Sequence, residues 1–368
     1  MRIAATREAG TGGERRVAIT PDTVAQYRTA GLDVTIEPGA GDEAGYRDAA
    51  YQEAGATVGK VDLAKLDVLA HVSPLSVATA QKLRAGAITV GLAAPGSDPR
   101  ATAALRDRKV TTFALELLPR ISRAQSMDAL TSQALVAGYR CVLEAAIRFP
   151  RFFPLYMTAA GTIPPARALV LGAGVAGLQA IATAKRLGAK VFAYDVRAAS
   201  ADEVASMGAT FIELELEAAD ASGGYAKELA ADRAKRQQEL LAPHIAEADV
   251  IITTAAIPGR PAPLLITTAA LKGMRPGSVV VDLAAESGGN VAGSKPGEDV
   301  AVKVDGGTVT VVGMSDAASR MPADASRLLA KNIANFVTLM TIDGTVAPDF
   351  EDEVVSSACM TRDGKDAR

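Results

Sequence analysis

The sequence predicts an α/β protein of two domains, each built on a parallel sheet. Its 368 residues exceed one ordinary core, which sets the expectation at about two domains. Its 49% apolar share is enough to fill both. Short apolar runs alternate with amphipathic stretches, the pattern of strand–helix–strand units that lie in parallel sheets.

In the first third, residues 3–5, 34–36, 68–70 and 88–90 read as strands, and 21–30 and 77–84 carry helical spacing. Thr20 before Pro21 is an N-cap followed by a first-turn proline. A long helix rich in Ala and Leu follows over 126–149, ended by prolines at 150, 154, 164 and 165. The alternation then resumes, with strands at 168–171, 190–194, 210–213, 250–253, 278–282 and 309–312. Several are near-continuous apolar runs, as in strands buried on both faces. Residues 218–239 break the rhythm: Gly223, Gly224 and Tyr225 precede alternating charge at Lys227, Glu228, Asp232 and Arg233, which reads as a loop leading into an exposed helix. Another helix spans 324–339, and the tail from Asp343 is mostly polar. The expected division is a domain of 1–137 completed by 320–368, around an inserted domain of 138–319.

Several function classes drop out. The net charge of −3 and the lack of any Lys/Arg block argue against nucleic acid and anionic membrane. Cys141 and Cys359 are isolated, and His71 and His244 lie far apart, so no metal-ligand spacing exists. Such thiols suit a reducing cytosol. The start carries no apolar signal region, and no run of about 18 apolar residues would insert directly into a membrane. A cytoplasmic protein is expected.

The first chemical motif is Gly172-Ala173-Gly174-Val175-Ala176-Gly177, between the 168–171 strand and a helix at 175–187. In this dinucleotide-binding arrangement the first glycine permits the tight turn and the second lets backbone approach a pyrophosphate. The third allows close helix–strand packing. The helix N-terminus offers free N–H groups and a positive dipole end. The next strand ends at Asp195, 18 positions after Gly177. An acid there accepts hydrogen bonds from ribose hydroxyls and repels a 2′-phosphate, which favours NAD(H) over NADP(H). Val196 and Arg197 follow; Arg197 could tolerate a phosphate, but an acid aimed at the ribose should dominate. After the 250–253 strand, Ala255 and Ala256 are small enough to let a nicotinamide ribose approach, although an ordinary βα turn reads the same way.

A second segment, Arg120-Ile-Ser-Arg123-Ala-Gln125-Ser126-Met127-Asp128, packs two guanidiniums, an amide, two hydroxyls and a carboxylate before the long helix. On one reading it is a capping region with Ser126 or Asp128 as the cap. On the other it is a polar clamp that orients a nicotinamide, with Gln125 on the carboxamide or ribose and Asp128 holding Arg120. Hydride transfer needs positioning of the ring more than acid–base groups. Oxidation of an alcohol or amine usually requires a general base, and neither His71, at a strand end, nor His244, in a helical stretch, sits in a catalytic setting.

The run PRISRAQSMD at 119–128 and the run from Thr158 to Arg197 resemble the NAD(H)-binding component, domain I, of proton-translocating NAD(P) transhydrogenase. So do GGERRVAITP at 12–21, GGYAKE at 223–228, ITTAAIPGRPAP at 252–263, VVVDLAAESGGN at 279–290 and ADAS at 323–326. The resemblance covers essentially the whole chain. It implies a homodimer whose protomers have two Rossmann-like domains with parallel sheets, separated by a cleft that holds NAD(H). It further implies that Arg120, Gln125, Ser126, Met127 and Asp128, with Thr131, form the nicotinamide-contacting loop. Gly172, Gly174, Val175 and Gly177 would then hold the pyrophosphate and Asp195 the adenosine ribose, while Gly224 and Tyr225 sit on a mobile loop over the nucleotide. The implied partners are an NADP(H)-binding domain of a beta subunit, to which Gln125 helps bring the ring, and membrane-spanning subunits that move the proton. The chain itself would be peripheral to the inner face of the membrane. Two departures stand out: Thr131 replaces the family's usual serine, and 314–320 replaces a segment richer in His, Asn and Pro.

Alanine dehydrogenase is the alternative. It resembles this chain in fold but needs a lysine and a histidine where this chain has His71-Val72-Ser73 and Gly91-Leu92-Ala93-Ala94. A non-catalytic NAD sensor is a third reading, with no feature of its own in support.

Overall fold

The computed structural model describes residues 1–8, 13–215, 226–256 and 260–367. They form two compact units: Met1–Gln133 together with Ala318–Arg368, and Ala134–Ala317.

In the first unit, the central strands Val68–His71 and Ile88–Gly91 are buried at every residue, as their unbroken apolar runs require. Among the described residues the sheet has eight strands in the order Lys365–Asp366, Cys359–Arg362, Thr111–Ala114, Ile88–Gly91, Val68–His71, Arg2–Ala5, Asp33–Ile36 and Thr57–Val58. From Thr111–Ala114 onward all pairings are parallel. The Pro21–Thr29 helix starts with Pro21 at its first position, and Thr23 Oγ1 accepts the Thr20 N–H at 3.0 Å. The Pro322–Leu339 helix presents Leu329, Ile333, Phe336 and Val337 at helical spacing to the core around Ile3, Val24, Tyr27 and Phe113. Phe336 meets Phe113 edge-on, with ring centroids 5.2 Å apart.

The tail departs from the polar reading. The Glu353–Ala358 helix buries Val354, Val355 and Ala358, and Cys359–Arg362 pairs antiparallel with Thr111–Ala114. A short apolar stretch among charged residues hides this contribution, and Phe350 adds to it by stacking on Phe113. The Thr111–Ala114 strand and the Pro99–Asp107 helix were likewise not legible.

In the second unit the strand order is Thr210–Phe211, Lys190–Tyr194, Arg167–Leu171, Val250–Thr253, Val279–Asp282, Gly307–Gly313 and Asp299–Val304. All neighbours are parallel except the last pair. Alternate residues feed two cores: Ala168, Val170, Val191 and Ile252 on one face, Leu169, Leu171 and Ile251 on the other. The chain runs outward from Arg167–Leu171 to Thr210–Phe211, then returns to place Val250–Thr253 on the opposite side. The order therefore reverses beside Arg167–Leu171. Ligands of open parallel sheets collect at the carboxyl ends of the strands flanking such a reversal.

The charged stretch forms a helix, Ala226–Glu247, that runs further than the sequence suggested and contains Pro243. Among the described residues no helix is long and apolar enough to cross a membrane.

Candidate functional site

The glycine turn sits at that reversal. Gly172, at the end of Arg167–Leu171, has φ +102°, a conformation an L side chain rarely adopts. A Cβ there would lie 2.7 Å from Thr254 Oγ1, and one at Gly177 would lie 1.8 Å from the Gly172 carbonyl oxygen. At Gly174 the same Cβ would meet nothing within 4 Å. Two glycines thus close the turn on protein, and the middle one opens it outward. That is the arrangement a pyrophosphate needs for close approach to backbone. Gly174 also begins the Val175–Arg186 helix with no side-chain cap, and both Gly174 and Val175 are exposed, so the first-turn N–H groups are offered to a ligand.

Asp195 follows Lys190–Tyr194 and bends back to the turn. Its Oδ2 accepts the Ala173 N–H at 2.7 Å, and its Oδ1 accepts the Arg197 N–H at 2.9 Å. The Arg197 guanidinium adds two bonds, Nε to Oδ1 at 3.0 Å and Nη2 to Oδ2 at 3.2 Å. Burial alone would raise this carboxyl, but the Arg197 and Ala173 hydrogen bonds outweigh it and hold it below the usual carboxylate range. Val196 between them is exposed.

At the neighbouring strand end, Thr254 Oγ1 donates to the Gly172 carbonyl at 3.0 Å. Asn290 fixes Ala255 on both sides: its Oδ1 accepts the Ala255 N–H at 3.1 Å, and its Nδ2 donates to the Ala255 carbonyl at 2.9 Å and to Pro263 at 2.8 Å. Asn290 is itself held by the buried Asp282, which also accepts from Thr253 Oγ1 at 3.0 Å. Ala255 is half-buried and Ala256 exposed. Thr254, Asp282 and Asn290 were not singled out in the sequence; a buried Asp at a strand end with a nearby Asn was the available signal. Gly224 and Tyr225 lie outside the described residues.

In the first unit, Ser122–Met127 is a 3-10 turn and the long helix begins at Ala129, three residues later than expected. Asp128 caps it: Oδ1 accepts the Thr131 N–H at 2.9 Å and Oδ2 the Thr131 hydroxyl at 2.6 Å. Its oxygens are therefore committed to Thr131, and among the described residues it makes no ion pair with Arg120. Thr131 keeps the hydroxyl that this cap uses. Ala124 and Met127 are buried in the unit's core, so the Met127 side chain anchors the segment and does not face a ligand. Arg120, Gln125 and Ser126 are exposed. Arg123 pairs with Asp352, and Asn332 and Asn335 both donate to the Ser126 carbonyl, at 2.9 and 3.0 Å. The segment is thus a rigid, polar surface pinned from beneath by the C-terminal part of the chain.

Residues 5–137 match the family described as alanine dehydrogenase/PNT, N-terminal domain, and residues 141–367 match its C-terminal domain. The chain belongs to the alanine dehydrogenase/PNT family. Within that family it is 46% identical over 377 residues to the first portion of the NAD(P) transhydrogenase alpha subunit of Rhodospirillum rubrum, a separate chain there, covering 99% of this chain and 97% of that one. The crystal structure of transhydrogenase from Sinorhizobium meliloti matches with a TM-score of 0.86 at 42% identity, covering 100% of this chain and 98% of that one. Alanine dehydrogenase of Mycobacterium tuberculosis is 32% identical over 292 residues, covering 77% of this chain and 72% of that one.

Within this alanine dehydrogenase/PNT fold, His71 is fully buried. Burial pushes its imidazole down to about 4, and its Nδ1 lies 2.9 Å from the Ser73 carbonyl oxygen. It is a neutral core histidine. Its strand neighbour Gly91 has no room for a side chain, since a Cβ would lie 2.0 Å from the His71 carbonyl oxygen. The departing segment 314–320 begins with Met314 in the second unit's core and ends near Ser319, whose hydroxyl donates to Glu14 at 2.9 Å. Glu14 in turn holds Arg16, which reaches Gln133.

Proposed function

We propose that this chain is the NAD(H)-binding component of a proton-translocating NAD(P) transhydrogenase. Its hydride partner is NADP(H) on a separate domain, and membrane-spanning subunits carry the proton. The observation that supports this most is the 46% identity, over 99% of the chain, to a protein named as a transhydrogenase alpha subunit.

The residues fit the group. The open face of Gly174 and the uncapped Val175–Arg186 helix receive the pyrophosphate, and Asp195 takes the adenosine ribose. The exposed Arg120, Gln125 and Ser126 serve the nicotinamide end, held in place by Asp128, Asn332, Asn335 and Asp352. When bound, the reduced nicotinamide supplies the hydride. The chain's own residues bind and orient it, and no proton-transferring side chain is required of them. The exposed hairpin Tyr156–Thr158 and Gly161–Ile163, with Phe152, Leu155 and Met157 uncovered, supports association as a homodimer, because apolar patches of this kind mark protein contacts.

The alanine dehydrogenase reading lacks its chemistry: a buried neutral His71 and a Gly91 stand where it needs lysine and histidine. The purified chain is expected to give no NAD-dependent turnover of L-alanine. Mixed with the cognate NADP(H)-binding domain, it is expected to give rapid hydride exchange between NADH and NADP+. Alanine turnover without exchange would reverse the assignment.

A further inference from the structure

An ionised carboxylate has roughly four lone-pair positions. Those of Asp195 are filled by the Ala173 N–H, the Arg197 N–H, Arg197 Nε and Arg197 Nη2. The two backbone bonds are part of the glycine turn and stay while the turn exists. The two guanidinium bonds are of another kind. The Arg197 side chain is 59% exposed against 8% for Asp195, so the cation covers the acid from the solvent side. Its Nη2 also reaches the Ala173 carbonyl at 3.4 Å, which braces the first residue of the turn.

We propose that Arg197 is a built-in competitor for the adenosine ribose at Asp195, a specificity-determining residue that the nucleotide must displace. The inference rests on the NAD(H) reading of this site. A ribose diol brings two hydroxyl donors, and the only positions on Asp195 open to exchange are the two that Arg197 holds. Binding therefore swaps a fork of two charge-assisted bonds for two hydroxyl bonds. Exposed pairs are weak enough to be displaced, and Glu203 on the Ser200–Ser206 helix also attracts the arginine, giving the freed side chain a counter-charge.

Two consequences follow. The apparent affinity for NAD(H) is lowered by the fraction of molecules in which the pair is closed. Selectivity is also narrowed, because a 2′-phosphate meets a carboxylate already neutralised by a cation rather than a bare negative charge.

The experiment is a binding titration of NADH and NADPH against the full chain and its Arg197→Ala, Arg197→Lys and Asp195→Asn variants. Circular dichroism checks that each is folded. Arg197→Ala is expected to bind NADH about two- to fivefold more tightly and NADPH more weakly. Arg197→Lys, which keeps charge without the planar fork, should fall between it and the parent. Weaker NADH binding by Arg197→Ala would make Arg197 a ligand contact and overturn the competitor role. If Asp195→Asn leaves NADH binding unchanged, the ribose assignment itself fails, and that result is distinct from a failure of Arg197 alone.

Discussion

Gly138, in the Ala129–Arg148 helix, lies against the backbone of Ala176, and a Cβ at Gly138 would sit 2.0 Å from the Ala176 carbonyl oxygen. One helix thus supports the first turn of the Val175–Arg186 helix through a contact that only glycine allows. Ala176 belongs to the glycine turn, so the position of the phosphate-facing N–H groups depends on a residue nearly forty positions earlier.

Replacing Gly138 with alanine should push that first turn outward. Overpacking of this kind costs about 1–3 kcal/mol, and NADH affinity should fall with it. Thermal unfolding and an NADH titration check both. An unchanged Tm together with unchanged affinity would mean that the contact is slack.

Asn290→Ala should be among the more damaging single changes outside the glycine turn. It strands the Ala255 N–H and the Ala255 and Pro263 carbonyls, and unpaired buried polar groups cost about 1–3 kcal/mol each. A lower Tm and weaker NADH binding are expected. Asn290→Asp should be less harmful to packing but should lose the two Nδ2 bonds.

Glu8 gives the first unit a pH signature. Burial raises its carboxyl to about 7, although the Val72 and Ser73 N–H groups, at 2.8 and 2.7 Å, oppose that. An acid with a raised folded pKa keeps its proton in the fold while the unfolded chain releases it. Its contribution is therefore full below the ordinary value of 4.5 and is lost as pH rises towards 7. Glu8→Gln should flatten this fall in stability when denaturant midpoints are compared between pH 4.5 and 7.5. A profile parallel to that of the parent would contradict it.

The two sheets were legible because their central strands, such as Val68–His71 and Val250–Thr253, are unbroken apolar runs. The glycine turn was legible because strand, turn, helix and Asp195 occur in order. Edge strands were not: Asp299–Val304 is only alternately half-buried, and Cys359–Arg362 owes its place to pairing with a strand some 250 positions away. Pairing across such distances leaves no local pattern. The same holds in the site. The capping role of Asp128 could be read from its neighbours, but the grip of Asn332, Asn335 and Asp352 on the 120–128 segment could not, because those partners lie beyond the entire second unit. Arg197 was visible as a residue but not as the cation that fills Asp195.

The central claim is that the exposed Gln125 serves hydride transfer to a second nicotinamide rather than nucleotide binding. The most direct measurement is stopped-flow hydride exchange between NADH on this chain and NADP+ on the cognate NADP(H)-binding domain, for the parent and Gln125→Ala. The account predicts a rate lower by about 10- to 100-fold, as misplacement of a reacting group costs, with the NADH dissociation constant nearly unchanged. An unchanged rate, or a loss confined to NADH affinity, would contradict it.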